Sequence, residues 1–196
     1  MSEANHRAPA SRGVLVLVAG PSGSGKDTLL NGARAALAGR DDIVFATRII
    51  TRAPDATEAH TPISQDAFVA ELARGAFALH WASHGLDYAL PASIEAQLAA
   101  GCTVVANVSR TVIASARAAL APVRVILIDA PADVRLARLR RRGREAASDI
   151  EGRVARAVSE VTLGPGDTHI DNSGAPEAGV AQLIAAIEAA TRAGRP

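Results

Sequence analysis

Val14-Leu15-Val16-Leu17-Val18, then Gly20-Pro21-Ser22-Gly23-Ser24-Gly25-Lys26, then Asp27-Thr28-Leu29-Leu30: this stretch decides the fold. Five apolar residues with no polar alternation read as a strand buried on both faces. The next seven match G-x-x-x-x-G-K, and the apolar spacing beyond them predicts a helix over Thr28–Leu37, ending near Gly39. A strand before and a helix after are the context in which this pattern binds phosphate. The glycines let successive N–H groups turn inward. The helix start adds a partial positive charge, and Lys26 can reach the β- and γ-phosphates as a mobile point charge. Gly20, Pro21, Ser22, Gly23, Ser24, Gly25, Lys26, Asp27 and Thr28 are therefore the expected ATP contacts. Of 21 basic residues, Lys26 is the single lysine, and every other one is arginine. At the last motif position Asp27 replaces the hydroxyl residue that normally binds Mg²⁺. A carboxylate there can ligate the ion directly or through water, or simply face the positive end of the helix; the residues leave both open.

Outward from this loop, strands are expected at Asp42–Ala46, Thr103–Val108, Val123–Ile128 and Thr168–Ile170. Helices are expected at Ser64–Arg74, Ala92–Ala100, Ala132–Arg141, Asp149–Val161 and Ala175–Arg192, with Ser64 and Asp149 as caps. Strands alternating with helices imply an α/β class: a parallel sheet flanked by helices, in the three layers of a P-loop NTPase. Residues 1–12 read as a polar, flexible tail. Residues 13–196 read as one domain, with no linker and no repeat. The segment Ile49–Pro91 is the least regular part and reads as an insertion over the sheet edge.

Composition excludes several classes. The chain has 196 residues, 48% of them apolar, and a net charge of +1. That argues against general disorder and gives no reason to expect a nucleic-acid partner. One cysteine excludes an internal disulfide and a cysteine-rich zinc site. No apolar run is long enough for a membrane span, and the beginning does not read as a secretory signal. A cytoplasmic location is the expectation.

The loop GPSGSGKDT, followed by Thr47-Arg48-Ile49-Ile50-Thr51-Arg52, resembles the guanylate kinase family of P-loop kinases. Three later stretches are similar to a particular group of its relatives, the ribose 1,5-bisphosphate phosphokinases. They are Phe77–Trp81 with His84–Pro91 (HGLDYALP), Asn107-Val108-Ser109-Arg110, and Arg142-Gly143-Arg144-Glu145. The resemblance implies ATP-dependent phosphorylation of ribose 1,5-bisphosphate to 5-phosphoribosyl 1-diphosphate in phosphonate catabolism, with ATP and Mg²⁺ as cofactors. It also implies an acceptor-binding region at about 49–91 and an Arg-rich lid at about 138–150. Guanylate kinases follow their arginine stretch with a Glu, a Gly and a Tyr that help hold the guanine nucleotide. Here Pro54–Pro62 offers Glu58 and His60 but no Gly or Tyr, which argues against guanine on the acceptor.

Phosphoryl transfer is largely positioning and charge stabilisation. A phosphate acceptor is already ionised near neutral pH and needs no general base. A small bisphosphate does need converging arginines, and Arg48, Arg52 and Arg110 are the candidates. His84, Tyr88, Asn107 and Ser109 join them as expected substrate contacts. Six arginines fall within Arg135–Arg144, with Arg153 following. Such a run can be a solvated helix face, but the arrangement resembles the lid of nucleotide monophosphate kinases. Arg138, Arg142 and Arg153 are the catalytic candidates beside Lys26. Asp171-Asn172-Ser173-Gly174 falls where related kinases place the adenine-contacting loop, and a helix cap explains it equally. The rival readings are another nucleoside monophosphate kinase and a non-catalytic nucleotide-binding regulator.

Overall fold

In the computed structural model, which describes residues 12–53, 59–142 and 161–194, the Val14–Val18 run becomes the central strand. The elements follow in chain order: β1 (Leu15–Ala19), α1 (Lys26–Ala36), β2 (Ile43–Phe45), β3 (Arg48–Ile50), β4 (His60–Pro62), α2 (Gln65–Ala73), β5 (Phe77–Ser83), β6 (Leu86–Pro91), α3 (Ser93–Ala99), β7 (Thr103–Asn107), a 3₁₀ turn (Arg110–Val112), α4 (Ile113–Ala119), β8 (Val123–Asp129), α5 (Ala132–Arg142), β9 (Thr168–Asp171) and α6 (Pro176–Ala193).

Side chains of the first strand alternate between two cores. Leu15, Leu17 and Ala19 enter one; Val14, Val16 and Val18 enter the other. Both faces are covered, which is why the run carries no polar alternation. The second core is closed by Leu29, Leu30 and Ala33 of α1 and by Leu183, Ile187 and Ala190 of α6. The first is closed by Ile94 and Leu98 of α3 and by Ile113 and Ala116 of α4. Each such fully buried aliphatic side chain contributes about 1.5–3 kcal/mol, so β1 is held from both sides.

Five strands lie in the order β2-β7-β1-β8-β9, every pair parallel. The chain leaves β1 in one direction towards β2 and later fills the other side with β8 and β9. The carboxyl end of β1 is therefore the switch point, where open α/β sheets bind ligands.

Ile49–Pro91, the stretch read as least regular, contains most of a second sheet. Its order is β4-β3-β6-β5, with β3 parallel to β4 and the other pairs antiparallel. Strands of three residues are too short to show a period of two, so β3 and β4 left little trace in the pattern. The β5–β6 hairpin turns on His84 (φ 53) and Gly85 (φ 74), the pair of left-handed residues a two-residue hairpin loop requires. The short helix α4 was also absent from the expected set. Ser64 caps α2, accepting from the Ala67 N–H at 3.3 Å. The expected tail (apart from Arg12), most of the lid and most of the Asp149–Val161 helix lie outside the described residues. Among the described residues, no helix is long and apolar enough to cross a membrane.

Candidate active site

The phosphate loop runs from the end of β1 into α1. Gly20 packs so closely on β8 that a Cβ there would stand 1.9 Å from the Ile128 carbonyl oxygen. Gly25 is the N-cap of α1 at φ 89, in left-handed space that glycine enters without a steric penalty. It lets the helix begin at Lys26, two residues before the apolar spacing indicates. The Lys26 ammonium donates to the carbonyls of Gly20 (2.7 Å) and Pro21 (3.0 Å), folding back over its own loop. Pro21, Gly23 and Ser24 are buried, Ser22 and Asp27 are half-buried, and Thr28 is exposed on the first helical turn.

The loop is braced from behind. Asn172, 4% exposed, donates through Nδ2 to the Ser24 carbonyl at 2.7 Å. Its own backbone N–H is held by the Asp129 carbonyl at 2.7 Å. Arg138 donates through Nη2 to the Asn172 carbonyl at 2.8 Å and through Nη1 to the Ser24 carbonyl at 3.4 Å. Arg138, expected as a lid residue, is here one side of a latch on the phosphate loop. Asn172 is the other side, in the stretch read as an adenine loop or a helix cap. Arg142 closes α5, and Arg153 lies outside the described residues.

Beside the loop opens a crevice bounded by α1, β3 and the ends of β2 and β7. Asp27, Leu30, Asn31 and Arg34 line one wall, at the spacing that places residues on a single helix face. Asn107, at the end of β7, donates through Nδ2 to Asp27 Oδ1 at 2.9 Å. Its Oδ1 is buried with no hydrogen-bond partner among the described residues. Asn107, expected to touch substrate, thus also fixes the orientation of the Asp27 carboxylate. Among the described residues no group of three or more His, Cys, Asp or Glu could hold a metal. A lone oriented carboxylate suits Mg²⁺, which is usually bound by one or two carboxylates together with phosphates and water.

Arg48, on β3, also lines the crevice. Its guanidinium lies 5.4 Å over the Tyr88 ring, which stacks on Trp81 at 5.5 Å and 8°. Tyr88 and Trp81 therefore form a platform that holds Arg48 in place. Arg52 lines a second depression with Thr51 and Gln65, and its carbonyl lies 3.2 Å from His60 Nε2. Ser109 caps the 3₁₀ turn, accepting from the Thr111 hydroxyl at 2.9 Å. Arg110 follows at the head of that turn. Burial pushes its guanidinium below the ordinary value, Asp129 pulls it back up and Arg135 lowers it further. His84 sits exposed at the hairpin tip and does not line the crevice.

Sequence reasoning missed Arg34, Asn31 and Phe45 as crevice-lining residues. A helical-wheel reading of α1 from Asp27 gives the first two. Phe45 follows only from the tertiary placement of β2.

No family model matches the chain. A ribose 1,5-bisphosphate phosphokinase of Rhodopseudomonas palustris is 47% identical over 184 residues, covering 94% of this chain and 91% of that protein. One from Acidiphilium cryptum is 47% identical over 172 residues, 88% of this chain and 91% of that one. The crystal structure of guanylate kinase from Anaplasma phagocytophilum superposes with a TM-score of 0.64 at 18% identity, covering 93% of this chain and 88% of that one. That likeness concerns the fold alone. Agreement with the phosphokinases runs from the phosphate loop to the far end of the sheet, and the chain belongs to the ribose 1,5-bisphosphate phosphokinase family.

Proposed function

We propose that this chain transfers the γ-phosphoryl group of ATP to the 1-phosphate of ribose 1,5-bisphosphate, giving 5-phosphoribosyl 1-diphosphate and ADP. The observation that carries the reading is a phosphate loop whose Asp27 lines a crevice that Arg34 and Arg48 line as well. Family membership supports the choice of acceptor.

An oxygen of the 1-phosphate attacks the γ-phosphorus as the bond from that phosphorus to the β–γ bridging oxygen breaks. The attacking oxygen is already ionised, so no base is required. The crevice agrees: of its described lining residues Asp27 is the only acid, and no histidine is among them. Lys26 exchanges its two carbonyl partners for the β- and γ-phosphates. The amides of residues 20–28 cradle the same groups. Asp27, held by Asn107, would hold Mg²⁺, which would neutralise charge on the nucleotide phosphates. Arg48 holds the acceptor on its aromatic platform, and Arg110 adds positive charge beyond β7. Arg138 keeps the loop in shape. Arg52 adds positive charge for the acceptor from the second sheet.

The test is a coupled ADP-release assay with ribose 1,5-bisphosphate, ribose 5-phosphate and GMP in parallel. Ribose 1,5-bisphosphate should turn over fastest. Faster use of GMP, or nucleotide binding with no acceptor phosphorylated, overturns the proposal.

A further inference from the structure

Arg34 is a charged side chain in the crevice with no role in the fold that its position requires. It lies on α1 two turns beyond Lys26, on the face shared with Asp27 and Asn31. Among the described residues it makes no hydrogen bond and no ion pair; its recorded partner is the Phe45 ring, 5.5 Å from the guanidinium carbon. A guanidinium held over an aromatic face keeps N–H donors available for an anion. Across the crevice Arg48 is carried in the same way, over Tyr88. Two guanidiniums on aromatic supports, facing one cavity from two walls, make a receptor for more than one anionic group.

Resting on the function proposed above, we infer that Arg34 holds the 5-phosphate of the acceptor, the phosphate that does not react. Arg34 thereby makes the site selective for a sugar bisphosphate over a monophosphate. The reacting phosphate must lie at the phosphate loop, beside Asp27. The Cα of Arg34 lies seven residues further on, about 10 Å along the helix. Its side chain leans back towards the helix start, as long side chains on helices do. The fork thus reaches the same crevice as Asp27 from further along α1. A second phosphate there carries about −1.5 to −2 charges near neutral pH. Arg34 meets it with two parallel N–H donors and a support that fixes their direction.

A cation in the last turn of a helix also complements the helix dipole. That role asks only for a positive charge facing solvent, so a lysine there would serve equally. The stack on Phe45 and the place in the crevice ask for more. The two roles are separated by the readout below.

The experiment is calorimetric titration of ribose 1,5-bisphosphate and ribose 1-phosphate into the wild-type chain, R34Q and R34K. ADP with magnesium is titrated in parallel as a check on folding. The wild-type chain should prefer the bisphosphate by 30-fold or more. R34Q should reduce that preference at least tenfold, and R34K about three- to tenfold, with ADP affinity within threefold of wild type in both. An unchanged preference in R34Q, or equal weakening of both sugar phosphates, overturns the assignment. If R34Q fails to bind ADP the decision passes to R34K, and an unchanged preference there overturns it. A wild-type chain that takes up neither sugar phosphate overturns the proposed function, and this inference with it. Wild-type uptake of the bisphosphate with no Arg34 effect refutes the inference alone.

Discussion

Replacing Asn172 by Ala tests whether the latch behind the phosphate loop sets nucleotide affinity. The substitution removes the 2.7 Å bond from Nδ2 to the Ser24 carbonyl. That carbonyl then keeps only the long 3.4 Å contact from Arg138. Loss of one partner from a buried pair costs about 1–3 kcal/mol. Asn172 Oδ1 is already buried without a partner among the described residues, so deleting it returns part of that loss. The void left beside Gly25 and Gly179 is small. A net cost of about 2 kcal/mol follows, which for a chain of this length lowers Tm by about 4–8 °C. If the latch holds the loop in its binding shape, the same free energy weakens ATP binding by up to about 30-fold, at 1.4 kcal/mol per tenfold. Thermal melting and titration with a fluorescent ATP analogue measure both. Nucleotide affinity within twofold of wild type, alongside the expected fall in Tm, would show that Asn172 supports the fold but not the loop, and the reasoning would fail.

Lys26→Ala should remove most activity with melting little changed; survival within about tenfold, under about 1.4 kcal/mol of transition-state stabilisation, contradicts a catalytic role for the loop. Arg48→Ala should raise the KM for the acceptor more than that for ATP, as loss of a binding contact to one substrate does. Thr191→Val should cost about 1–2 kcal/mol by thermal denaturation. It leaves the buried Thr103 hydroxyl, which donates to Thr191 Oγ1 at 2.9 Å, without its acceptor. Adding Thr103→Val should recover part of that loss, because the stranded donor is then gone as well.

How far the sequence reveals this molecule depends on how local the physics is. The phosphate loop is legible because everything that makes it lies within about a dozen consecutive residues. A buried strand, glycines at forced backbone angles and a helix start follow one another along the chain. The five-stranded sheet is legible for a related reason: strands covered on both faces write their burial into apolar runs, as Leu15–Ala19 and the Val104–Ala106 centre of β7 do. The second sheet is not, because Arg48–Ile50 and His60–Pro62 are each too short to display a period. Their pairing is set by partners that lie up to about forty residues away. The same divide runs through the site. The sequence picks out Asn107, Tyr88 and Arg138 as candidate functional residues, but it assigns them to ligand contact. In the structure Asn107 holds the Asp27 carboxylate, Tyr88 carries Arg48 and Arg138 joins Asn172 behind the loop. Each role depends on a partner brought close by folding, so the residue type was readable and the partner was not. Arg34 is the sharpest case. One among twenty arginines, it carries no motif, and only the crevice opposite Arg48 distinguishes it from a solvated surface cation.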